Sequence, residues 1–264
     1  MKLLEWIGRR FRLLGGELLD LIAMIHISLF SIRHLMHGSR RRVFLRLLVR
    51  HIKQAGTGSL YLISAIAMLC GALLIAMMHR FFEASAFDDI YGQFYLIVIL
   101  RELAPLLCGI VLIARSATAL TAEIGYLKMQ HEFDTLRLMG VDPVTVFLLP
   151  VFFAFPLVLL TSMVYFCGMS IIGGWLMSLQ LDAGMDFLEF VGGVVRHFNP
   201  GKVPLVLGKP LIAGFFIGVI CIYFGSKTGD KFTDMTTAIA RGATAQLIIF
   251  FTINISFSLV LYLQ

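Results

Sequence analysis

The chain has 264 residues, of which 59% are hydrophobic and 14% charged, with a mean hydropathy of +0.89. A soluble domain carries about a quarter charged residues. This chain cannot clothe a soluble surface, so composition argues against a soluble enzyme, a disordered protein or a nucleic-acid binder and for an integral membrane protein. The net charge of +6 acquires meaning only once it is placed along the chain.

Eleven of the 22 Lys and Arg precede residue 54, with only Glu5, Glu17 and Asp20 to offset them. Within this basic segment, residues 1–53, the apolar run Leu21–Ile32 is 12 residues long. That is short of the roughly 20 needed to span a bilayer. It also lacks the small-x-small site of a cleaved signal peptide. The pattern suits an amphipathic helix in the head-group plane, with arginines such as Arg12 and Arg50 near anionic lipid. A re-entrant segment packed on the bundle is the alternative.

Four stretches without Asp, Glu, Lys or Arg follow, at 54–79, 143–181, 210–226 and 242–264. Each predicts a membrane-crossing helix. A fifth is predicted at 90–116, although it contains Arg101, Glu102 and Arg115. The expected fold is therefore an all-α integral membrane protein. Its permease-sized domain, 54–264, holds five spans near 57–79, 90–116, 144–179, 204–226 and 240–263, preceded by the interfacial helical segment.

With the N-terminus in the cytoplasm, the inside segments 1–53, 115–142 and 227–241 hold 17 Lys and Arg. The outside loops 80–89 and 182–209 hold four: Arg80, Arg196, Lys202 and Lys209. The positive-inside rule then predicts N-in and C-out.

The second span carries the most informative residues. Arg101 and Glu102 lie twelve residues after Asp89 and twelve before Ala114 respectively, so the pair is expected near mid-span. A charge there costs on the order of 3 kcal/mol, and such residues usually face a cavity or a partner. Adjacent helical residues point about 100° apart, so the two need not pair with each other. Pro105 frees a backbone carbonyl about one turn earlier. A polar spot on a transport path is one reading, and a buried pair that sets helix register is the other.

Next, Ala114 to Gly125 is dense in small residues, which allow helices to approach closely in a membrane. Tyr126 to Met139 reads as a short amphipathic helix, with Ile124, Leu127, Leu136 and Met139 on one side and Lys128, Glu132 and Arg137 on the other. Gly140 ends it and Pro143 prevents its continuation. Such a helix suits a groove on a cytoplasmic partner, or rests on the membrane as a plain loop. In the fourth span, Gly214-x-x-x-Gly218 offers a close-packing face.

Cys70, Cys108, Cys167 and Cys221 sit in four separate apolar runs with no CxxC pair, as expected of inert thiols. There is no phosphate loop, no H-E-x-x-H and no G-x-S-x-G. No metal site is expected, and no route to ATP binding by the chain itself.

The residues Arg101-Glu102-Leu103-Ala104-Pro105, Arg115, Ala119 to Gly125, Asp134, Leu136 and Met139 to Pro143, with a weaker echo at Arg241 and Thr244, resemble the MlaE/YrbE family of ABC-transporter permeases. The resemblance implies a permease that pairs with a second copy of itself. It further implies a cytoplasmic ATPase, which would hold the ATP and magnesium, and a periplasmic MCE-domain protein, and it leaves room for a small cytoplasmic accessory protein. Together these would move phospholipids between the inner and outer membranes of a bacterium, with no nucleic acid involved. It implies that the segment 123–140 is the coupling helix gripped by the ATPase, through Glu123, Lys128, His131, Glu132, Asp134, Leu136, Arg137, Met139 and Gly140. It implies that Arg101 and Glu102 lie near a lipid cavity at the dimer interface. By their adaptable apolar chemistry, Leu73, Leu74, Met77 and Met78 of the first span are candidates for its walls, with core packing as the alternative. Arg12, Arg50, Arg115 and Arg241 are candidates for head-group contacts.

The chain also departs from the family pattern. Ala104 and Ala114 stand where glycine is usual, and His131 and Arg137 stand where glutamate is usual. Lys227 to Asp234 replaces a glycine-rich stretch. Two rival readings are a secondary transporter, for which internal repeats are expected and none is found, and a non-transporting membrane scaffold.

Overall fold

The computed structural model describes residues 38–81, 92–140, 143, 149–181, 187–197, 201, 203–229 and 231–263, with backbone alone for 38–41 and 189. Among these residues there are helices and no strands. The interfacial helix expected before residue 38, and Arg12 with it, lies outside the described residues.

Five helices are long and apolar enough to cross a membrane. Helix α1 (Gly38–Phe81) contains the first span. Helix α2 (Gly92–Met129) is the second, and a turn links it to the short α3 (Glu132–Leu138). Helix α4 (Leu149–Gln180) is the third span, followed by α5 (Phe187–Arg196). Helices α6 (Val203–Ser226) and α7 (Phe232–Leu263) complete the bundle. The protein is thus a multi-pass α-helical membrane protein.

Helix α1 runs unbroken across residues 53 and 54, where the basic segment was expected to give way to the bundle. No proline interrupts it. The Thr57 and Ser59 hydroxyls donate back to the carbonyls of Lys53 and Ala55, at 2.7 and 3.0 Å, and so do not cap or break the helix. Helix α2 likewise continues past 116. The expected single coupling helix over 123–140 is therefore two pieces: Glu123 to Met129 closes the span helix, and α3 starts afresh. The break falls at His131, which takes the left-handed conformation at φ 54°. Gly140, at φ 73°, closes α3, as its missing Cβ allows.

Small residues set the helix spacing. Helices α1 and α4 run parallel and make the most extensive contact in the bundle. A Cβ on Gly71 would collide with the backbone of Ser170, and one on Gly173 with that of Met68. In α6, a Cβ on Gly214 would meet the backbone of Pro156, and Gly218 faces Val151 and Phe152. The Gly214-x-x-x-Gly218 face therefore packs on α4 inside the bundle. Between these contacts the core is apolar, with Phe152, Phe155 and Phe166 of α4 and Phe250 of α7 each 1% exposed.

Candidate functional site: a charged node beside an apolar cavity

Helix α2 is π-helical from Tyr95 to Leu103, and the Ala104 N–H reaches the Ile99 carbonyl five residues back. A π-stretch fits one more residue into each turn than an α-helix would and is frequent at functional sites. Pro105 follows directly and has no N–H to give to the carbonyl four residues earlier, that of Arg101. The Lys209 ammonium of α6 donates to that carbonyl at 3.2 Å.

Lys209 is 1% exposed. Its other two partners are the Glu102 carboxylate, at 3.2 Å, and the Ser258 hydroxyl of α7, at 3.0 Å. The Ser258 hydroxyl in turn donates to the same Glu102 oxygen at 2.6 Å. One ammonium thus uses all three of its hydrogens and ties α2, α6 and α7 together. Burying an ion pair is tolerable only when hydrogen bonds complete it in this way.

Arg101 completes the node. Its Nε lies 3.5 Å from the other Glu102 oxygen, one Nη donates to the Ser258 carbonyl at 3.4 Å, and the guanidinium stands 4.1 Å over the Tyr262 ring. Two cations therefore share one carboxylate. Arg101 and Glu102 do come within ion-pair distance despite being adjacent, because both converge on Ser258.

On the other side of Arg101 lies a cavity of about 640 Å³. Its walls are apolar: Leu96, Ile97 and Leu100 of α2, Met163 and Val164 of α4, and Val206 and Leu207 of α6. Gln93, Arg101 and His197 supply its polar groups. Size and lining fall within the range of ligand pockets, which are mostly apolar with a few placed polar groups.

The node lies toward one end of each of its three helices. Arg101 is the tenth residue of α2, Lys209 the seventh of α6, and Ser258 is five short of the end of α7. It thus sits roughly 8–14 Å from the helix ends that adjoin α5. Helix α2 begins at 92 and runs on to 129, so the pair falls in its first third. Lys209, expected in an outside loop, is buried inside α6. Of the four residues of α1, Leu73 and Met77 face outward at 61% and 60% exposure, Leu74 is half-buried and Met78 is buried, and none borders this cavity within the single chain. Helix α1 presses its glycine face on α4, and the cavity is walled by α2, α4 and α6.

At the opposite end, α3 projects with no fully buried residue. Leu138 and Met139 are its outermost apolar side chains, whereas Leu136 is half-buried. Asp134 lies 3.4 Å from the His131 ring and 3.7 Å from the Arg137 guanidinium, so the two substituted positions are bridged by one carboxylate. Glu132, His131, Arg137 and Gly140 are exposed. Two expected contact residues, both half-buried, already have partners on neighbouring helices. Lys128 donates to the last carbonyl of α6, that of Ser226, at 2.6 Å, and Glu123 accepts from Gln54 of α1 at 3.3 Å. A lysine at a helix C-terminus satisfies carbonyls that have no helical partner. Arg115 is exposed and lies over Gly58, and Arg50 and Arg241 are exposed on the surface.

Sequence reasoning missed Lys209 and Ser258 as members of the site. The signal for Lys209 was a single cation between Val203-Pro204-Leu205-Val206-Leu207 and Pro210-Leu211-Ile212, which is span-like on both sides. Ser258 gave none, since an isolated hydroxyl in an apolar helix usually bonds to its own backbone.

Five membrane-length helices with a charged node beside an apolar cavity suit a membrane permease. Residues 48–260 match the permease MlaE family, and the chain belongs to that family. It is 23% identical over 203 residues to a probable ABC transporter permease of Rickettsia prowazekii, covering 76% of this chain and 78% of the relative. It is 26% identical over 175 residues to the intermembrane phospholipid transport system permease protein MlaE of Haemophilus influenzae, covering 65% and 67%. It is 26% identical over 184 residues to the chloroplastic trigalactosyldiacylglycerol 1 protein of Arabidopsis thaliana, covering 68% and 51%. The chain is thus a permease of the MlaE family.

Proposed function

We propose that this chain is the membrane subunit through which phospholipid passes between the inner and outer membranes of a bacterium, energised by a separate cytoplasmic ATPase. The observation that carries this reading is the apolar cavity walled on one side by the Arg101 guanidinium, in a chain whose Haemophilus influenzae relative is named for intermembrane phospholipid transport. Apolar walls suit acyl chains, and a cation at the rim suits a phosphodiester. In this reading the protein sits in the inner membrane with its N-terminus in the cytoplasm and works as a dimer. The ATP and magnesium reside on the ATPase, and an MCE-domain protein receives or delivers lipid on the periplasmic side. A small cytoplasmic accessory protein is a further partner that this assembly accommodates.

The test is lipid transfer by the reconstituted complex, with mass spectrometry of the lipid that co-purifies. Arg101→Gln keeps a polar side chain but removes the charge at the cavity wall. It is expected to reduce transfer at least tenfold while assembly stays intact, a loss of about 1.4 kcal/mol in head-group binding. Undiminished transfer by an intact complex would remove the cavity from the path.

Coupling to the ATPase falls to α3 in this reading. Leu138 is 89% exposed, so Leu138→Asp is expected to leave folding unchanged and to abolish co-purification with the ATPase. Undiminished co-purification would move the docking site elsewhere. The half-buried Leu136 is the poorer test, because a charge there also threatens the fold.

A further inference from the structure

The cavity beside Arg101 has a second polar end, which the node does not use. His197, directly after α5, and Gln93, at the start of α2, both border it and both are exposed. The His197 ring is nevertheless held in place. Its Nδ1 lies 3.0 Å from the Gly193 carbonyl, one turn earlier. A Cβ on Gly92 of α2 would come within 3.0 Å of the same nitrogen and would collide with the Gly193 carbonyl. The glycine at 92 therefore lets the end of α5, with its imidazole, lie directly against the start of α2.

The bond to Gly193 decides the chemistry of the ring. A carbonyl oxygen only accepts, so Nδ1 carries the proton. In the neutral imidazole the other nitrogen, Nε2, is then an acceptor. Among the described residues Nε2 has no hydrogen-bond partner, and the Gln93 amide has none either. The polar ends of the cavity are thus opposite in kind. Arg101 presents donors only, whereas His197 presents an acceptor.

The spacing of the two ends suits one head group. Gln93 precedes Arg101 by eight residues, about 12 Å along the helix axis. The Arg101 side chain shortens that gap. Its guanidinium stands over Tyr262, one turn beyond Ser258 on α7 and so about 6 Å nearer the end of the bundle where His197 stands. Roughly 6 Å then separates the donor end from the acceptor end, a gap that a phosphate ester and the short chain attached to it can bridge.

We infer that His197, with Gln93 on the same rim, selects the head group of the cavity lipid. The phosphodiester sits on Arg101, and a terminal ammonium donates an N–H to His197 Nε2. The ligand class is a phospholipid whose head group ends in a hydrogen-bond donor, as ethanolamine does. Choline carries three methyl groups on its nitrogen and has no N–H to give. This inference rests on the proposed lipid path and adds the head group that the path prefers.

The experiment uses the full chain in nanodiscs of phosphatidylcholine that contain a minor fraction of a photoactivatable phospholipid. The acyl chains of the probe are constant, and its head group is ethanolamine, N,N-dimethylethanolamine or choline in three samples. After illumination, labelled peptides are mapped by mass spectrometry, and the peptide Gln93–Arg101 reports the cavity. It is expected to take about fivefold more label from the ethanolamine and dimethyl probes than from the choline probe, the ratio that one hydrogen bond at a partly open site supports. The dimethyl probe retains one N–H, so the step falls at the last methyl group. His197→Phe keeps a ring but loses the acceptor, and is expected to equalise the three probes while cavity labelling persists. His197→Gln, whose amide oxygen can reach the position of Nε2, is expected to keep most of the preference. Equal labelling of the wild type by the three probes overturns the head-group role and leaves the lipid path standing. A preference that survives His197→Phe overturns it too, as does a loss already complete at the dimethyl probe, which would report size. Absence of cavity label from all three probes overturns the lipid path itself, and this inference with it.

Discussion

Lys209→Met is expected to destabilise the bundle by about 3 kcal/mol, the lower end of the loss when one partner of a buried ion pair is removed. Methionine fills nearly the same volume, so the loss is electrostatic. The Glu102 carboxylate keeps Ser258 and the distant side of Arg101 but loses its ammonium, and the Arg101 carbonyl loses the donor that Pro105 cannot replace. The measurement is the unfolding midpoint of the purified protein in a fixed lipid–detergent mixture. Glu102→Leu alone is expected to be similarly harmful, because it strands a lysine that is 1% exposed. The double variant Lys209→Met/Glu102→Leu is expected to recover most of the loss, since removing both members of a buried pair is often close to neutral. A Lys209→Met protein as stable as the wild type, or strictly additive losses in the double variant, would show that the node does not hold the three helices together.

Gly71→Ala is expected to cost about 2–3 kcal/mol, a large effect for one methyl group. The added carbon would fall on the Ser170 backbone, and a backbone cannot turn aside as a side-chain tip can. Helices α1 and α4 would have to separate along a contact in which Gly173 is equally close to Met68. The control lies on the same helix. Gly56 has nothing within 4 Å of where its Cβ would be, so Gly56→Ala is expected to be neutral or to stabilise by up to about 1 kcal/mol through helix propensity. Equal stabilities for the two variants in the same unfolding assay would mean that the α1–α4 spacing is not fixed by its glycines.

The five spans were legible because charge-free length is a direct requirement of the bilayer, and it shows in the sequence whatever the packing. Helix ends were less legible. Past residue 116 the small and hydroxylated residues of α2 continue the helix, because Thr118 and Thr121 spend their hydroxyls on carbonyls one turn back. Nothing in residue type announced that His131 would take the left-handed conformation. Arg101 and Glu102 stood out because intramembrane charge is costly, and the same reasoning applied to Lys209 would have found it. The charge-free run begins only at Pro210, so charge spacing alone sets Lys209 at the margin of the fourth span. Leu73, Leu74, Met77 and Met78 have the right chemistry for a lipid-binding wall, but the side of a helix that faces a cavity is decided by its neighbours, which residue type does not reveal.

The π-helical stretch from Tyr95 to Leu103 also bears on how the chain can change over evolutionary time. A wide turn holds one more residue than its length requires, and losing that residue returns the backbone to an ordinary α-ladder. The two halves of α2 can therefore shift in phase relative to each other without a break. Side chains that meet Lys209 and side chains that meet Ala55 and Gln54 at the other end of the helix need not share one angular frame. Single-residue insertions and deletions, which would ruin a continuous α-helix by rotating half of it about 100°, have here a place where they can be absorbed.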